Sequence, residues 1–95
     1  MDKTELIEEF KLAEDWRYDP WGSAMGVLFD LAEYLYVRDM VPEAWEFRPG
    51  AGKIVPEVES YWYPLFSASD PATLIEFGNI LNRYTAKLRS AGQDY

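Results

Sequence analysis

The sequence predicts an all-α domain, and three observations predict it. Apolar residues recur at helical spacing in three separate stretches, each stretch opens on a capping signal, and little of the remainder reads as strand. The expected architecture is a compact three-helix core with helices near 4–16, 20–37 and 71–90. One or two short extra helical turns, and a long aromatic-rich connection between the second and third main helices, complete it.

The first helix is expected to start at Asp2, a capping residue with Glu5 three positions on in a capping-box arrangement. At ~100° per residue, Leu6, Ile7, Phe10 and Ala13 fall within an arc of roughly 120°, the face that seeks the core. Asp2, Glu5, Glu8, Glu9 and Asp15 fall opposite, and the early acids suit the positive end of the helix dipole. Two apolar residues break the pattern. Leu12 and Trp16, at i and i+4, lie inside the acidic arc.

Asp19-Pro20 opens the second helix, a capping side chain followed by proline at the first helical position. Its ladder runs Trp21, Ala24, Leu28, Leu31 and Leu35, and only Asp30 and Glu33 are charged before Arg38 and Asp39. A helix this apolar is expected at the centre, wrapped by the others, with Leu28, Leu31 and Leu35 fully buried. Gly22 and Gly26 each cost about 1 kcal/mol relative to alanine in a helix, so they are expected to permit close helix–helix approach.

From Met40 to Ser69 the periodicity lapses. Val41-Pro42-Glu43 is expected to start a short helical turn holding Ala44 and Trp45, and Arg48 to Gly52 reads as a loop. Lys53 to Val58 reads as a short strand or extended stretch, with Pro56 against a central strand. Tyr61-Trp62-Tyr63-Pro64-Leu65-Phe66 then reads as an aromatic run ended by proline and pinned to the core, with Trp45, Phe47, Tyr61 and Phe66 covering the central helix. Asp70-Pro71 repeats the helix-start signal, followed by the stripe Leu74, Phe77, Ile80, Leu81, Tyr84 and Leu88. Arg83, Lys87 and Arg89 suit the negative end of that helix, and Gly92 is its stop.

Bulk properties fit one small domain. At 95 residues, 48% hydrophobic and 17% aromatic, the chain has material for one core, and its size implies burial of roughly 65% of the unfolded surface. Cysteine is absent, which excludes disulfides, thiolate nucleophiles and Cys-based metal sites, and fits a reducing, cytoplasmic setting. No basic-then-apolar leader opens the sequence, and its longest uncharged stretch, Pro20 to Phe29, is too short to span a bilayer.

The net charge of −8 sits wholly in residues 1–46, where twelve acids face four bases, while residues 47–95 are neutral. An acidic face of this kind repels nucleic acid and anionic membrane and favours a basic protein surface. Histidine is absent too, which removes the usual neutral-pH proton shuttle. Paired carboxylates at Asp30/Glu33 and Glu57/Glu59 leave a carboxylate-based hydrolase as a third-ranked class, though Asp30 and Glu33 read more simply as a solvent stripe. Gly50-Ala51-Gly52-Lys53 lacks the upstream glycine and the following Ser or Thr of a phosphate loop, since Phe47 and Ile54 stand there. No cofactor, metal or catalytic residue is expected.

These readings favour a non-catalytic protein that docks onto a basic partner protein. The expected partner-facing residues are Glu5, Glu8, Glu9, Leu12, Asp15 and Trp16, with Trp62 as a further aromatic anchor. Alternatively, the first helix ends before Trp16 and the indole folds back on Trp21. Size and charge suggest an inhibitor of a nucleic-acid-handling enzyme, encoded by a phage or mobile element. The runner-up is a homodimeric helical scaffold or accessory subunit joined through apolar surface.

Overall fold

The structure, a computed structural model, describes residues 1–12, 18–45 and 62–92. Within them the chain forms helices α1 (Lys3–Leu12), α2 (Pro20–Val37), α3 (Tyr63–Ser67) and α4 (Pro71–Ser90), with no strand among the described residues. The three expected main helices are α1, α2 and α4, and α3 is the short extra one. Residues 13–16 of the expected first helix lie outside the described residues, as do Phe47, Tyr61 and the loop-and-strand segment around Arg48 to Val58.

The start signals act unequally. Asp2 accepts the Glu5 backbone N–H at 2.9 Å, and Asp19 accepts that of Gly22 at 2.9 Å, each satisfying an N–H that the first helical turn leaves unpaired. Asp70 makes no such side-chain bond, and its helix relies on extended backbone at the cap and on Pro71. Asp19→Ala should therefore cost about 1 kcal/mol, read as a lowered urea midpoint with an unchanged slope.

Helix α2 stops by a left-handed turn that its sequence did not advertise with glycine. Asp39 adopts φ 56°, the Asp39 N–H reaches the Tyr36 carbonyl at 3.0 Å, and the Met40 N–H reaches that of Leu35 at 2.9 Å. This pair of bonds is the Schellman motif. Arg38 strengthens the end, donating to the Tyr34 carbonyl at 2.7 Å and lying 3.5 Å over the centre of the Tyr34 ring. Helix α4 ends conventionally, on Gly92 at φ 87°.

Helix α2 packs chiefly against α4 and also against α3, while α1 lies on α4. Leu28, Leu31 and Leu35 are fully buried, joined by Val27, Ala32 and Tyr34. Leu74, Phe77 and Leu81 answer from α4, and Leu6 and Phe10 from α1. The aromatics close the remaining space. Phe10 sits 6.1 Å from Trp62 and 6.5 Å from Phe77, centre to centre, and Tyr34 lies 5.5 Å from Phe66. At the far end Arg89 stands 5.1 Å over the Trp21 ring. The buried hydroxyl of Thr85 is satisfied by the Asn82 carbonyl at 2.9 Å.

Four expectations are corrected. Pro42 to Trp45 is a hydrogen-bonded turn, Trp45 N–H to Pro42 carbonyl at 3.2 Å, rather than a helical turn. Pro64 does not end the aromatic run; it occupies the first turn of α3, where a missing N–H costs nothing. Helix α2 is not wrapped on every side, since Phe29 is 46% and Val37 60% exposed. Nor do Gly22 and Gly26 bring helices together. A Cβ at Gly22 would overlap the Asp19 carboxylate, so that glycine makes room for the cap, and Gly26 faces open space among the described residues.

The close-approach glycine is Gly78. A Cβ there would overlap the Trp45 ring, which lies on α4 and donates its indole N–H to Asn79 at 2.8 Å. Gly26, by contrast, has no packing role within the described chain. Gly26→Ala should stabilise by up to about 1 kcal/mol, visible as a raised thermal midpoint.

Candidate interaction surface

The outward side of α1 follows from its period. With Leu6 and Phe10 locked in the core, Glu5 and Glu8 are carried to the exposed side, and Glu9 is half-buried at its edge. Leu12, at the last turn, is 69% exposed. Four of the expected partner-facing residues therefore lie on α1, three of them exposed and Glu9 partly covered. Asp15 and Trp16 lie outside the described residues.

Trp62 is corrected. Its indole is 6% exposed, stacked on Phe66 at 6.4 Å and against Phe10, so it closes the core between α1 and α3 rather than facing a partner. The aromatic run as a whole reads as pinned to the core, but it carries no period to say which ring faces inward, and the Phe10 that covers Trp62 comes from far along the chain.

Charge on this surface is only lightly compensated. Lys11 lies 3.8 Å from Glu8, both exposed, and pairs of this kind contribute about 0–1 kcal/mol. Lys3 instead reaches across to Glu76 on α4 at 3.2 Å. That ion pair borders an open groove of about 340 Å³ between the first turns of α1 and α4, lined by Asp2, Lys3, Thr4, Ala72, Thr73 and Glu76. Asp2 caps α1 there by accepting the Glu5 N–H, and Glu76, one turn further along α4, is taken up by Lys3.

Of the carboxylate pair on α2, Glu33 has a structural occupation. The Tyr63 hydroxyl donates to Glu33 Oε2 at 3.4 Å. Burial, then the charges of Glu33 and Asp30, push the Tyr63 phenol above its ordinary value, with Arg38 opposing. A phenol held that way stays protonated at neutral pH and serves as a hydrogen-bond donor, not as an acid or base poised for proton transfer. Glu57 and Glu59 lie outside the described residues. No group of three or more potential metal-ligating side chains occurs among the described residues, and no described helix is long and apolar enough to cross a membrane.

No protein-family model, curated protein or solved structure matches the chain. The chemistry of the α1 surface is that of exposed carboxylates leading to an exposed leucine at the helix end, on a small all-α domain.

Proposed function

We propose that this is a non-catalytic binding protein that docks the outward face of α1 onto a basic partner protein. The single observation that supports it best is Leu12, 69% exposed at the end of a helix whose outward side carries Glu5 and Glu8. An apolar centre with a charged rim is the anatomy of a protein interface. A partner with a basic groove, such as a nucleic-acid-handling enzyme, fits this face by charge, and the proposed role is inhibition by occupying that groove. A phage or mobile-element origin is the corresponding proposal for an inhibitor of this size and acidity.

Affinity capture from the native host identifies the partner, and kinetics then test the surface. Reversing the exposed Glu5 and Glu8 to lysine should leave helicity and unfolding midpoint nearly intact, because exposed charges each contribute about 1 kcal/mol or less. Association with the partner should slow sharply and lose most of its salt dependence. Leu12→Ala should instead speed dissociation. An unchanged association rate for the reversed protein would overturn the proposal and leave the acidic half as a solubility device.

A second reading, a homodimer joined through α2, is favoured by Val37 at 60% exposure and by the open space beside Gly26. Molecular size measured at low and high salt separates the two. A hydrophobic dimer persists at high salt, whereas electrostatic docking weakens.

A further inference from the structure

We draw no further inference here: the strongest candidate, the outward face of α2 where Val37 stands 60% exposed and Gly26 faces open space, carries nothing because no described residue or bound group shows what covers it.

Discussion

Leu31→Ala is expected to destabilise the protein by about 2–5 kcal/mol. Leu31 is fully buried midway along α2, flanked on the same face by the equally buried Leu28 and Leu35. Truncation removes the transfer free energy of three carbons and leaves a cavity that the helices can only partly close. A small domain has about 5–15 kcal/mol in all, so the loss would be a large fraction of the total. Urea unfolding followed by circular dichroism measures it. A change under about half a kcal/mol would mean that the α2–α4 seam is open in solution.

Gly78→Ala is the second large effect, and its sign depends on another residue. In an isolated helix the substitution would gain about 1 kcal/mol. In this fold the new methyl would overlap the Trp45 ring, so either the indole leaves or α4 shifts, and the Trp45–Asn79 hydrogen bond is lost with it. Overpacking costs typically 1–3 kcal/mol, and giving up a buried tryptophan about 3–5. The net expectation is a loss of about 1–3 kcal/mol. With Trp45→Ala already in place, the ring that the methyl would overlap is gone, and the same Gly78→Ala change should become neutral or stabilising. A double-mutant cycle reads the difference directly. Additive effects would show that the ring does not rest on α4.

The two long helices were legible because local and long-range signals agree in them. Asp19-Pro20 and Asp70-Pro71 mark the starts, Gly92 marks one stop, and the ladders through Leu28, Leu31 and Leu35 and through Leu74, Phe77 and Leu81 point one way. Where an element depends on a distant partner, legibility fails. Pro64 reads as a terminator until its place in the first turn of α3 is known. Gly78 carries no sequence signal of its role, because it makes room for a ring supplied by Trp45, whose bonding partner Asn79 lies 34 residues on. Asp39 shows the same blindness at short range, since its left-handed backbone is set by the Schellman turn and not by its identity.

The candidate surface was legible in part for the same reason. Exposure of Glu5, Glu8 and Leu12 follows from the helical wheel once Leu6 and Phe10 are taken as core. Glu9 sits nearer the core edge than the acidic arc implied. Trp62 could not be placed from sequence, because its neighbours Phe10 and Phe66 come from two different helices.

The placement of the tryptophans has a spectroscopic consequence. Trp21, Trp45 and Trp62 are all buried, and each marks a different junction: Trp21 beneath Arg89 at the end of α4, Trp45 on the middle of α4, and Trp62 between α1 and α3. With the fourth tryptophan, Trp16, replaced by phenylalanine, intrinsic tryptophan fluorescence therefore reports on these three seams at once, while far-ultraviolet dichroism reports the helices themselves. Single Trp→Phe replacements would resolve the seams one at a time. Coincident transitions from all probes would mark one cooperative unit. A Trp62 signal lost ahead of the others would instead identify α1 and α3 as the part of the molecule that opens first.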